Sequence, residues 1–138
     1  MQRIELTLDQ LIDRAAELTT SGRKILGITG APGAGKSTIA REIISKLGKD
    51  RAALAPMDGF HLSNATLVAE GKNDRKGAID TFDAEGYVNL LERLKRANEE
   101  VVHAPDYYRT FEESIGSAIP IKRAIPLVIT EEIGRAHV

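Results

Sequence analysis

The sequence predicts an α/β domain, a mainly parallel sheet within a three-layer α/β/α arrangement that the chain supplies incompletely. Three observations predict it. Short apolar runs rich in β-formers, Ile25–Thr29, Ala52–Met57 and Leu127–Thr130, alternate with segments of helical period. A glycine-rich turn from Gly30 to Gly35 joins the first run to an amphipathic helix. Each run also leads at its C-terminal end into a residue suited to a site, namely Gly30, Asp58 and Glu131, and open α/β sheets bind ligands at that edge.

The elements follow in order. Thr7 and Gln10 form the T-x-x-Q pattern of a capping box, with Leu8, Leu11, Ile12, Ala15 and Leu18 on one face of the helix that follows. Residues 1–21 are read as this N-terminal helix, ended by Ser21 and Gly22. Lys36–Leu47 is a second helix with Ile39, Ala40, Ile43, Ile44 and Leu47 inward and Gly48 as its stop. Residues 59–82 show no clear period, which predicts a functional loop carrying a short helix near Asn64–Glu70. Asp83 caps a third long helix ending near Asn98, with Val88, Leu91 and Leu94 as its core face and Tyr87 and Leu90 on the flank. Val101–Ala104 is a weaker strand than Leu127–Thr130.

Composition narrows the function classes. A chain of 138 residues suits one domain, and 42% hydrophobic with 28% charged residues is ordinary for a globular protein. A formal net charge of -1 gives no global basic field, so neither nucleic acid nor an acidic membrane is an expected partner. The absence of cysteine excludes disulfides, thiolate chemistry and cysteine-ligated zinc. No run approaches the roughly 18 apolar residues that span a bilayer, and the first residues lack a secretion-signal pattern. A cytoplasmic protein is the expectation.

Glu132 to Val138 reads as the in-frame translation of a common short-read sequencing adapter whose next codon is a stop. The expectation is a core over residues 22–131 in a C-terminally truncated chain, with residues 132–138 a non-native tail and His137 discarded as a ligand.

Gly30-Ala31-Pro32-Gly33-Ala34-Gly35-Lys36-Ser37-Thr38 contains G-x4-G-K-S, the Walker A pattern of P-loop NTPases, placed between a strand and a helix as that pattern requires. Gly30, Gly33 and Gly35 let the backbone fold tightly enough for successive N–H groups to face a phosphate. The helix adds its positive end. Lys36 suits the β- and γ-phosphates of ATP, and the Ser37 hydroxyl suits Mg²⁺. A kinase, an ATPase and a GTPase switch all use such a loop. The N-K-x-D that would read guanine is absent, and D-x-x-G occurs twice, at Asp74 and Asp83.

Asp58 ends the second strand. A carboxylate there can take the proton of an attacking hydroxyl. An Asp before glycine also suits a plain turn, and spacing alone leaves both open.

Met57-Asp-Gly-Phe-His-Leu-Ser-Asn64, Arg75-Lys-Gly77, Asp80-Thr-Phe-Asp83, Ala104-Pro-Asp-Tyr-Tyr-Arg109 and Val128-Ile-Thr-Glu131, together with the glycine-rich loop, resemble the phosphoribulokinase, uridine kinase and bacterial pantothenate kinase family over about residues 22 to 131. The resemblance implies an ATP- and Mg²⁺-dependent kinase acting on a hydroxyl of a small metabolite. It implies that Asp58 is the catalytic base, Lys36 a catalytic phosphate-binding residue, and Ser37 and Glu131 the Mg²⁺ residues. Tyr107 and Arg109 match an acceptor-contacting segment. Ile79, where the family pattern has proline, and Tyr108, where aspartate is common, depart from it. Arg75, Lys76 and Lys72 suit either an anionic acceptor or a solvated loop. His61 either touches the acceptor or packs beside the loop. A homodimer of the full-length protein is a further expectation. So is negligible turnover by this chain alone, since the family carries its lid and adenine contacts beyond the Walker B-like strand. The competing expectation is a nucleotide-dependent switch without a small-molecule acceptor.

Overall fold

In a computed structural model, the structure describes residues 5–30 and 35–132. Helix α1 (Leu8–Glu17) starts on the predicted capping box: the Thr7 hydroxyl accepts from the Gln10 N–H at 3.2 Å, and the Gln10 side chain accepts from the Thr7 N–H at 2.9 Å. Strand β1 (Lys24–Thr29) follows, then α2 (Lys36–Leu47) and the short β2 (Ala52–Leu54). The run that predicted β2 through Met57 ends sooner. Ala55 still donates to Ile129 at 2.8 Å, but Pro56 has no N–H to continue the ladder, and Met57–Phe60 closes into a 3₁₀ turn.

Helix α3 (Asn64–Ala69) lies in an excursion closed at its base, where Leu62 donates to Thr81 at 2.8 Å and Asp83 to Phe60 at 2.7 Å. Helix α4 (Ala84–Arg96) has Asp83 as its cap and ends where Ala97 turns left-handed. Its buried residues are Tyr87, Leu90 and Leu94. This corrects the expected face, because Val88 and Leu91 are only half-buried. Leu8 likewise leaves the predicted face of α1 and is exposed.

β3 (Val101–Tyr108) runs past Ala104 because it pairs antiparallel with β4 (Glu113–Lys122), an element the sequence reading lacks. β4 reads poorly because Gly116 and Pro120 interrupt it. Both prolines of the hairpin sit where a two-stranded edge tolerates them: Pro120 opposite His103, and Pro105 inside the register shift between Ala104 and Asp106.

β5 (Leu127–Glu132) runs parallel between β1 and β2 and is the centre of the three-stranded sheet. Its alternation sorts the two faces. Leu127 and Ile129 pack with Ala15, Ala40, Ile43 and Leu47 of α1 and α2. Val128 packs on the other face with Leu90 and Leu94 of α4 and with Val102, Ala104 and Ile121 of the hairpin. The architecture is α/β with a mainly parallel sheet, and the hairpin shares the second covering layer with α4. Arg23, just before β1, ties that layer to the sheet, donating to the carbonyls of Leu94 at 3.2 Å, Lys122 at 2.6 Å and Ile125 at 2.9 Å.

Candidate active site

Parallel strands place their C-terminal ends along one edge, and the candidate residues collect there. β1 ends at Thr29, followed by Gly30. Ala31, Pro32, Gly33 and Ala34 of the glycine-rich loop lie outside the described residues. Gly35 caps α2 with φ of 88°, a left-handed conformation that favours glycine. The next residues then face β5. The Lys36 Nζ donates to the Glu132 carbonyl at 3.2 Å, and the Ser37 hydroxyl donates to Glu131 Oε1 at 3.0 Å. Thr38 is exposed on the same turn.

Glu131 owes its aim to the alternation of β5. It follows Leu127 and Ile129 on the α2 face, while Thr130 and Glu132 point toward α4. Its second oxygen, Oε2, is buried without a hydrogen-bond partner among the described residues. Such an atom is costly to bury and is the kind of donor that a hard cation takes up. A serine hydroxyl and a carboxylate are both oxygen ligands, so the pair fits Mg²⁺. Among the described residues there is no ready-made cluster of acidic and histidine ligands for a metal.

Asp58 sits in the 3₁₀ turn after β2, half-buried, and its carboxylate makes no hydrogen bond to the described residues. Its turn is wedged against the hairpin. A Cβ built on Gly59 would lie 2.2 Å from the Pro105 carbonyl oxygen, so only glycine permits this approach. The His61 ring bonds back to the Asp58 carbonyl at 2.7 Å and stacks between Phe82 (centroids 4.2 Å) and Tyr107 (4.4 Å).

Lys76 joins this group. Its ammonium lies 5.4 Å from the Tyr107 ring centroid, donates to Asn64 Oδ1 at 2.6 Å and bonds the Glu112 carbonyl. Asn64 in turn donates its backbone N–H to Glu113 at 2.9 Å. Arg75 is directed elsewhere, into an exposed ion pair with Asp80 at 2.7 Å, and Lys72 pairs with Glu70 at 3.1 Å. Arg109 is exposed where the hairpin turns; its carbonyl accepts from the Glu112 N–H at 3.3 Å, and its guanidinium makes no hydrogen bond or ion pair to described residues. The structure therefore gathers Lys36, Ser37 and Glu131 into one group and His61, Lys76 and Tyr107 into another. Arg75 and Arg109 join neither.

Three contributors were missed as site residues. Asn64 and Gly59 lie within the quoted D-G-F-H-L-S-N segment, and their fixed types were the available signal. Tyr87 gave none, because its partners lie in β5.

No protein-family model matches the chain. A Schizosaccharomyces pombe protein provisionally named a uridine kinase is 32% identical over 120 residues, covering 80% of this chain and 49% of that protein. A pantothenate kinase of Limosilactobacillus reuteri is 44% identical over 87 residues, covering 60% of this chain and 28% of the kinase. Among solved structures, a Silicibacter protein provisionally named a fructose transport system kinase superposes with a TM-score of 0.81 at 34% identity, over 94% of this chain and 64% of that one. A Bacillus stearothermophilus structure described as a possible uridine kinase shares the fold, with a TM-score of 0.67 at 19% identity over 91% of this chain and 69% of that one. The chain spans about half the length, or less, of these curated relatives. By sequence and by fold, it is a homologue of the uridine and pantothenate kinases built on the P-loop kinase fold.

Proposed function

We propose that the protein transfers the γ-phosphate of ATP to a hydroxyl of a small metabolite, with Mg²⁺. The observation that carries this reading is the buried Glu131 Oε2, without a hydrogen-bond partner among the described residues, beside Ser37, one residue after Lys36. Ser37 and Glu131 would hold the metal, which when bound neutralises charge on the β- and γ-oxygens. Lys36 and the backbone of Gly30 to Thr38 hold the phosphates. Asp58 takes the acceptor proton as the acceptor oxygen bonds to the γ-phosphorus and the bond to ADP breaks. His61, Lys76 and Tyr107 line the acceptor side, with Arg75 and Arg109 as outer charges. The relatives' names support a nucleoside, pantothenate or sugar-type acceptor.

The activity is proposed for the whole protein. The partner is then a small molecule rather than nucleic acid or a membrane, in the cytoplasm, with a homodimer of the whole protein carried as part of the reading. Among the described residues, no helix is long and apolar enough to cross a membrane.

The test incubates the intact protein with γ-labelled ATP and a panel of nucleosides, pantothenate and sugars. Label is expected in a metabolite. Label released only to water would overturn the reading in favour of a nucleotide-dependent switch.

A further inference from the structure

Tyr87 is 1% exposed and sits on the α4 face of the sheet, yet it touches the neighbours of both candidate carboxylates. Its hydroxyl is 2.5 Å from the Thr130 hydroxyl and donates to Glu132 Oε2 at 2.9 Å. Thr130 and Glu132 are the residues on either side of Glu131. Because a phenol has one proton and Tyr87 donates it to Glu132, the Thr130 hydroxyl is the donor in the first bond. The Tyr87 ring meets Phe60 edge-on, with centroids 5.5 Å apart, and shares a buried cluster with Met57. Met57 and Phe60 lie on either side of Asp58.

The strand alternation gives this arrangement a consequence. Gripping Thr130 from the α4 face fixes the pleat of β5 near its end, which turns Glu131 toward Ser37 on the opposite face, and this needs no contact with Glu132 of the segment expected to be non-native. The same ring backs the turn that presents Asp58. Asp58 is otherwise held by the close backbone approach at Gly59 and by the His61 bonds to its carbonyl, and the Glu131 side chain by one bond from Ser37 among the described residues. Burial, foremost, pushes the Tyr87 phenol well above its ordinary value, with a further rise from the Glu132 carboxylate, so the hydroxyl stays a donor at any physiological pH.

We propose that Tyr87 is a positioning residue that holds Asp58 and Glu131 in register with each other from the far face of the sheet. The proposal rests on the roles given to those carboxylates above. It makes no claim that Tyr87 meets nucleotide, metal or acceptor.

The test uses Tyr87→Phe, which keeps the ring and deletes the hydroxyl, with Thr130→Val as the partner variant. Binding of AMP-PNP to the chain is titrated with and without Mg²⁺. Tyr87→Phe is expected to raise the Mg²⁺ concentration for half-maximal enhancement about 10-fold, as loss of an outer support does at metal sites. Metal-free AMP-PNP affinity is expected to stay within about twofold, because the phosphate loop is untouched. Thr130→Val should act in the same direction, and the double variant should be no worse than the stronger single one. In parallel, amide exchange should quicken about 10-fold at both 130–132 and 58–61, while α2 is unchanged. Equal losses of metal-free and Mg²⁺-dependent affinity, additive effects, or quickened exchange at only one of the two segments would overturn the proposal. A wild-type chain showing no Mg²⁺ enhancement would strike the functional reading instead, and the exchange pattern would still decide on Tyr87.

Discussion

The proposed phosphate side and the proposed acceptor side of this site are held by different physics. Lys36, Ser37 and Glu131 stand at the ends of a helix and a strand whose inner residues, among them Ile43, Leu127 and Ile129, are fully buried. His61, Lys76 and Tyr107 are held by tilted ring contacts, a cation–π contact and hydrogen bonds to Asp58, Asn64 and Glu112, on half-exposed segments. The first group inherits its geometry from the core. The second has little core beneath it and can change its residues without unfolding the sheet. A fold that keeps its phosphate chemistry while varying its acceptor would be divided in this way. The relatives, named for uridine and for pantothenate, fit that division.

Breaking the two sides separately tests it, and the largest effect belongs to the chemistry itself. Asp58→Asn in the intact protein is expected to lower turnover about 10²-fold or more, by the loss of a general base. Steady-state kinetics checks it, and unchanged turnover would remove Asp58 from that role. Gly59→Ala comes next, because its methyl would collide with the Pro105 carbonyl; overpacking of this kind costs about 1–3 kcal/mol. Chemical denaturation of the chain should show that loss, whereas full stability would mean the hairpin yields easily.

Tyr87 sharpens the comparison through pH. Its folded value is raised, so its contribution is present below the ordinary phenol value of about 10 and is lost as pH rises above it. Removing the hydroxyl should cost about 1–3 kcal/mol at neutral pH, and the gap between wild type and Tyr87→Phe should narrow in alkali. A gap independent of pH would contradict the assignment. The smallest effect is expected at Arg75→Ala. Its pair with Asp80 is exposed at both partners (49% and 41%), and such pairs contribute less than about 1 kcal/mol. A loss of several kcal/mol in thermal unfolding would show that the outer loop is more than a solvated surface.

The same division explains what the sequence made legible. The phosphate side is local: strand, glycine-rich turn, lysine, serine and helix follow one another along the chain, and an apolar run announces the strand that ends in Glu131. The elements around it, α1, β1, α2 and β5, lie close to where their periodicity puts them. The acceptor side depends on contacts distant in sequence. β4 has no clean alternation, and β3 extends to Tyr108 only because β4 pairs with it. The length of β2 was misread because a run of small apolar residues hides the proline that stops the ladder. The core face of α4 was misassigned because Tyr87, Leu90, Leu91 and Leu94 support two rotations of the helix. Packing against the hairpin and the 3₁₀ turn selects between them.

The central claim is that two carboxylates, Glu131 at the end of β5 and Asp58 in the 3₁₀ turn after β2, divide the work, Glu131 toward the metal and Asp58 toward the acceptor. Mg²⁺-dependent binding of AMP-PNP, measured by calorimetry in Glu131→Gln and in Asp58→Asn, addresses it most directly. Glu131→Gln is predicted to raise the Mg²⁺ requirement about 10-fold or more, while Asp58→Asn leaves it near that of the unaltered chain. The account is contradicted if Asp58→Asn abolishes the Mg²⁺ enhancement, or if Glu131→Gln leaves it intact.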